Sequence, residues 1–285
     1  MCLILVNKIK YARASVNTWA KHCNHVELVQ LKRNKLGLKR NKDEASWPLL
    51  CNALVNISES FHWILVVKET TFAIVENVRH LVAPLDYESH YYLGHAIKFW
   101  GIKYNVAQAG YILSNGTLAA LKLKNEKDLC STNSVVWNLE DYYLGRTLQQ
   151  FNISVTDTRD ELGFAIFHGY NLQKLFFPGS TTLSNYYKHS VYPTICCSPK
   201  SVTFQVSNRH SMYTYEYLLN QLQIFKNGTL GNHRPVPISQ EEVWQTVLRK
   251  HSRTNFNMSA EEYYDFWVEL VSDPVSFAQK IKDNK

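Results

Sequence analysis

Residues 2–31, CLILVNKIKYARASVNTWAKHCNHVELVQL, open with five apolar side chains in a row, Cys2 to Val6, and then turn polar at Asn7 and Lys8. An unbroken apolar run of that length has no wet face, so it reads as a strand covered on both sides, the kind found in parallel sheets. Ala12, Val16, Trp19, Ala20 and Cys23 then recur at helical spacing, and Val26 to Leu31 resumes an apolar segment. The stretch predicts a strand, a helix and a second strand, which is one β-α-β unit.

Working outward, Trp47 to Phe61 places Leu50, Leu54, Ile57 and Phe61 on one helical face. His62 to Val67 is a second central-strand candidate, ending in Lys68 and Glu69. In open α/β sheets the carboxyl ends of strands are where ligands bind, so this end marks a candidate site. Phe72 to Val82 reads as a helix, Tyr91 to Leu93 and Gly110 to Leu113 as short strands, and Asn115 to Leu123 as a helix. Leu139 to Phe151 follows as a helix leading into a strand at Ile153 to Val155, and Ser201 to Val206 is another strand, with Met212 to Phe225 at helical spacing. The expected class is α/β with a mostly parallel central sheet. Gly231 to Pro237 is a linker, after which Ser239-x-x-Glu242 and Ser259-x-x-Glu262 are capping boxes that each open a helix. The expected division is therefore a domain over 1–230 and a helical C-terminal extension over 231–285.

Composition excludes several classes. With 285 residues, 45% hydrophobic and 13% aromatic, and with few Gly (11) and Pro (8), the chain is neither disordered nor collagen-like nor of low complexity. No apolar stretch approaches the roughly 20 residues needed to cross a bilayer, and no signal peptide is expected, because Met1 leads into a short apolar segment followed by Lys8 and Lys10. A net charge of +7 suits an anionic ligand. The basic stretch Lys32, Arg33, Lys35, Lys39, Arg40 and Lys42 lacks interleaved aromatics and reads as a solvated loop, so no nucleic-acid partner is expected. GxGxxG, GxxxxGK, GxSxG, HExxH and CxxC patterns are absent from the sequence, which removes support for P-loop, dinucleotide-binding, hydrolase and zinc readings. Sequons at Asn56, Asn115, Asn152, Asn227 and Asn257 are candidate N-glycosylation sites and permit a lumenal address. Glu140 and Asp141 open a predicted helix, where two carboxylates complement the dipole.

Several segments occur in an order that resembles one family. They are Thr18 to Cys23, Thr71 to Asn77, Tyr92 to His95, Ala109 to Ser114, Glu140 to Arg146, Asp157 to Gly163 with Phe167 and His168, and Cys196 to Ser198. Together, over about residues 2 to 226, they resemble the core 1 β1,3-galactosyltransferase family, which includes a non-catalytic, chaperone-like relative. The resemblance implies a GT-A glycosyltransferase fold. It also implies an inverting transfer of galactose from UDP-galactose, with Mn²⁺, to the 3-hydroxyl of a GalNAc on Ser or Thr of a glycoprotein.

By the same resemblance, Lys68, Glu69 and Thr70 occupy the metal-binding triple-aspartate position, His168 matches a metal-binding His, and Glu140 and Asp141 match the catalytic base. Tyr186 and Tyr187 fall in the acceptor segment, while Ala107 and Gln108 replace a Gly-Gly pair and Pro199 replaces an Asp. A Lys and a Thr are poor substitutes for metal carboxylates. The expectation is a catalytically degenerate, chaperone-like or regulatory member whose partner is an active galactosyltransferase, as a homo- or hetero-dimer. The alternative is an active UDP-galactose-dependent enzyme, in which Lys68 neutralises the diphosphate as a point charge. The family's address is the Golgi or endoplasmic-reticulum lumen, anchored to the membrane, whereas no anchor is expected in this chain. With a lumenal address, Cys2 is expected to pair with Cys23, and Cys130 with Cys196 or Cys197, since adjacent cysteines rarely bond to each other.

Overall fold

The computed structural model describes residues 1–31, 46–58, 60–123, 129–130, 139–177, 188–193, 195–226, 229–230 and 259–271. They belong to two compact units, Met1–Leu222 and Gln223–Lys285, so the division falls eight residues before the one read from the sequence.

The first unit runs β1 (Cys2–Val6), α1 (Ile9–Asn17), a 3-10 turn (Trp19–His22), β2 (Val26–Gln30), α2 (Ser46–Val55), β3 (Trp63–Lys68), β4 (Thr71–Ala73) and α3 (Val75–Val82). It continues through β5 (Tyr92–Gly94), β6 (Ala96–Phe99), β7 (Ile102–Asn105), β8 (Tyr111–Ser114), α4 (Asn115–Lys122) and α5 (Glu140–Gln150). The remaining elements are α6 (Leu172–Phe176), β9 (Thr203–Gln205), α7 (Arg209–Glu216) and a π-helical turn (Tyr217–Gln221).

The central sheet has the order β2-β1-β3-β8-β5. β1 pairs parallel with β2 and with β3, whereas β8 runs antiparallel to both β3 and β5. Four strands thus share a direction and β8 is reversed, so the sheet is mixed. Because side chains alternate across a strand, the apolar runs divide between two layers. Leu3, Leu5, Ile64, Val66, Tyr111 and Leu113 pack on one face with Leu50, Leu54, Leu118, Leu144 and Leu148 of α2, α4 and α5. Ile4, Val6, Leu65, Val67 and Ile112 pack on the other with Ala12, Val78 and Met212 of α1, α3 and α7. Each fully buried Leu or Ile contributes about 1.5–3 kcal/mol, which is why β1 and β3 carry no polar residue between their ends.

Several expectations change. The helix expected from Phe72 starts at Val75, because Thr71–Ala73 pair antiparallel with Thr203–Gln205. Ile153 to Val155 is not a strand, and the chain there makes one parallel bridge, Leu93 to Thr156. The helix read over Ala12 to Cys23 is α1 followed by the 3-10 turn, with the break at Thr18, whose hydroxyl bonds back to the Ala14 carbonyl at 2.7 Å. The hairpin β6–β7 turns at Trp100 and Gly101, both at positive φ (47° and 80°), which suits a two-residue turn of the primed type.

Cys2 is bonded to Cys23, joining β1 to the end of the 3-10 turn. Cys130 pairs with Cys51 of α2, not with Cys196 or Cys197, and those two are bonded to each other. The physical reason is the layer arrangement: Cys51 and Cys130 are both buried in the core on the α2 side of the sheet. Cys196 and Cys197 instead follow Ile195, which bridges to Phe164.

The second unit, taken by itself, contains an antiparallel hairpin of β10 (Phe225–Lys226) and β11 (Thr229–Leu230) and the helix α8 (Ala260–Val271). The capping box at the start of α8 is formed in both directions: Ser259 N–H donates to Glu262 Oε2 at 2.8 Å, and Glu262 N–H donates to Ser259 Oγ at 3.2 Å. The linker Gly231 to Pro237 and the box at Ser239 and Glu242 lie outside the described residues. Among the described residues no helix is long and apolar enough to cross a membrane.

Candidate functional site

The shared strand direction brings the carboxyl ends of β1, β2, β3 and β5 to one edge, where Lys68, Glu69, Glu140 and Asp141 lie. Lys68 is the last residue of β3, opposite Leu5 of β1. Glu140 and Asp141 are the first two residues of α5, whose face packs against β7 through Tyr142 and Tyr104. Lys68 Nζ lies 3.0 Å from Glu140 Oε1, and the glutamate is almost wholly buried.

Asp141 is buried beside this pair. Its Oδ2 accepts the Ala107 N–H and its Oδ1 accepts the Tyr142 N–H, each at 2.9 Å. Burial, with the Glu140 charge next to it, raises its pKa to about 6 against the pull of Lys68 and the two N–H donors. Burial would pull the Lys68 ammonium down, but Glu140, Asp141 and Glu69 outweigh it and hold the ammonium above its usual range. The group is therefore one cation held by buried carboxylates. Tyr92 and Tyr111 behind it are fully buried and kept neutral by that burial.

Glu69 takes a different direction. Its Oε1 accepts the Lys8 N–H at 3.2 Å at the start of α1, its backbone N–H donates to the Leu5 carbonyl at 3.0 Å, and its Oε2 is buried with no partner. Thr70 sits in the turn between β3 and β4, where its carbonyl accepts the Val206 N–H. Next to Glu69, a cleft of about 530 Å³ opens at the ends of β1 and β2, lined by Val6, Asn7, Lys8, Lys10, Tyr11 and Gln30 among others.

His168 stands on a different segment. It is buried, stacked on Phe204 with ring centroids 4.8 Å apart, and its Nε2 is 2.9 Å from Ser201 Oγ. The Ser201 hydroxyl donates its one hydrogen to the Ser198 carbonyl, so it must accept the imidazole N–H at Nε2. Nδ1 is left as a bare lone pair, buried and without a partner. Burial, with a contribution from His95, lowers the imidazole pKa to about 3 and keeps the ring neutral.

Tyr186 and Tyr187 lie outside the described residues, as do Asn227 and Asn257. Asn56 and Asn152 are exposed and Asn115 is half-buried at the start of α4. Sequence reasoning passed over the Ala107 N–H as a partner of Asp141, and over Ser201 as the partner of His168. Neither has a local signal, since the partners are 34 and 33 residues apart.

No protein-family model matches the chain. Among solved structures, it is similar to a glycosyltransferase involved in the glycosylation of the major capsid of PBCV-1. That similarity has a TM-score of 0.40 and 13% sequence identity, and covers 76% of this chain and 98% of that one.

Proposed function

We propose that this chain is a GT-A-type member of the core 1 β1,3-galactosyltransferase group that lacks metal-dependent transfer chemistry. In this reading it serves as a chaperone-like or regulatory partner of an active galactosyltransferase in mucin-type O-glycosylation. The observation that carries the reading is the Lys68–Glu140 ion pair at the end of β3.

Moving galactose from UDP-galactose to a GalNAc hydroxyl calls for a hard divalent cation on the leaving diphosphate and a carboxylate base at the acceptor. The residues present do not fit Mn²⁺. Lys68 brings an ammonium and Thr70 a neutral side chain, which leaves Glu69 as the one carboxylate of the three, with Oε1 on the Lys8 N–H and only Oε2 open, where a hard divalent ion takes several oxygen ligands. Asp141, at the base position, is buried with each oxygen already accepting a backbone N–H.

The cleft beside Glu69, with Lys8, Lys10 and Tyr11, offers cations and an aromatic ring to a nucleotide without metal. A lumenal address in the Golgi or endoplasmic reticulum suits the disulfides Cys2–Cys23 and Cys51–Cys130 and the exposed Asn56 and Asn152. An active enzyme is the second reading, favoured by Asp141, whose pKa near 6 is in the range a general base uses.

Calorimetry of UDP-galactose on the folded full chain, with and without Mn²⁺, followed by transfer to a GalNAc-peptide, tests both. The expected outcome is no Mn²⁺-dependent binding and no transfer. Turnover by the unaltered chain would establish the second reading. The double variant Lys68→Asp, Thr70→Asp is expected to gain Mn²⁺-dependent UDP binding of at least tenfold.

A further inference from the structure

We propose that His168, Cys196 and Cys197 form a binding site for a thiophilic divalent cation of the zinc type when the Cys196–Cys197 disulfide is reduced. Its three residues include none of Lys68, Glu140 and Asp141, and the proposal needs neither reading of that edge.

One ligand atom from each of the three residues lies within 4.8 Å of the others. With Zn–S near 2.3 Å and Zn–N near 2.0 Å, ligands on one tetrahedral ion stand roughly 3.5–3.8 Å apart, so once the disulfide is cut the two sulfurs, bonded at about 2 Å, part by roughly 1.7 Å and the imidazole nitrogen closes in by about 1 Å to share a single ion. The imidazole is already prepared. Its Nε2–H is held by Ser201, which fixes the tautomer with the lone pair on Nδ1, and that buried nitrogen has no other partner. A ligating His held by a hydrogen bond from its far nitrogen is the usual arrangement in zinc sites.

The cysteines are held on both sides by the segment that leads to His168. Ala165 N–H donates to the Ile195 carbonyl at 2.8 Å, and Ser198 N–H donates to the Ala165 carbonyl at 2.9 Å. Cys196 and Cys197 are half-buried, so a small reductant and an ion reach them from outside, and water completes the fourth position. In the reductive step a phosphine becomes its oxide with an oxygen from water, while the S–S bond takes two electrons and two protons to give two thiols. Binding then displaces both thiol protons. A divalent ion on two thiolates and a neutral imidazole carries no net charge, which a buried ring tolerates.

The test uses the full chain, reduced by a phosphine without oxygen and titrated with Co²⁺ as the spectroscopic probe. The reduced chain is expected to bind Co²⁺ with thiolate-to-cobalt charge-transfer absorption and tetrahedral d–d bands, and the oxidised chain to lack both. Cys196→Ser with Cys197→Ser should abolish the absorption, and His168→Gln should weaken binding at least tenfold. No absorption in the reduced chain overturns the proposal. So does absorption that survives the double serine variant, which would place the ion on the other four cysteines, or a His168→Gln variant of unchanged affinity. Should that variant not fold, X-ray absorption of the zinc-loaded chain decides: a mixed sulfur and nitrogen shell supports the site, and an all-sulfur or all-oxygen shell overturns it.

Discussion

Lys68 ends a strand whose preceding residues are all apolar, and its stem is largely covered while its ammonium meets Glu140. Removing one member of a buried pair leaves an uncompensated charge, at a cost of about 3–5 kcal/mol. Lys68→Met is therefore expected to lower stability by an amount toward that range at pH 7.5, measured by urea unfolding. Asp141 gives the pH dependence its sign. Its pKa is raised in the folded state and pulled down by Lys68, so without the lysine its midpoint should move above about 6, readable in the ¹³C shift of its carboxyl. A group with a raised folded pKa favours the folded state as it takes up its proton. The variant's deficit should accordingly shrink on acidification from pH 7.5 through the Asp141 midpoint.

Helix α5 carries both acids to the edge, and it can lie close to β7 because Gly145 has no side chain. A Cβ there would collide with Tyr104 and with the Lys103 carbonyl. Gly145→Val is expected to lift α5 from the hairpin, lower the melting temperature by several degrees and lengthen the Lys68–Glu140 contact, as seen by thermal unfolding and a crystal structure. The elements legible in the sequence were those whose surroundings leave a local mark. β1 and β3 are covered on both faces and so are continuously apolar, and Ser259 with Glu262 announces its cap within four residues. Elements that depend on distant partners left no such mark. β4 is three residues long and exists through β9, and β6–β7 alternates over only four residues per strand, with Lys98 and Lys103 paired on it. At the edge, Lys68 was marked by a strand end and Glu140 and Asp141 by a helix start, with roles added by the family resemblance, but the Lys68–Glu140 ion pair joins residues 72 positions apart, which no spacing rule contains.

For the molecule as a whole, the two disulfides between non-adjacent cysteines close loops of different size. Cys2–Cys23 spans 21 positions and Cys51–Cys130 spans 79. In the chain-entropy account the longer loop stabilises more, by about 1 kcal/mol. Replacing Cys51 and Cys130 by Ala should therefore lower unfolding free energy further than replacing Cys2 and Cys23, and both losses should vanish when each protein is compared after full reduction.

The pairing of β4 with β9 has a consequence for synthesis. Among the described residues Thr71–Ala73 pair with Thr203–Gln205, whose neighbour Val202 donates its N–H to the Ile166 carbonyl. A ribosome adding about 5–20 residues per second takes roughly 7–26 s to read from one strand to the other. Throughout that interval the growing chain carries an open strand edge just beyond Lys68 and Glu69, so cotranslational holding factors would find an unpaired strand beside the place where its charged residues later converge.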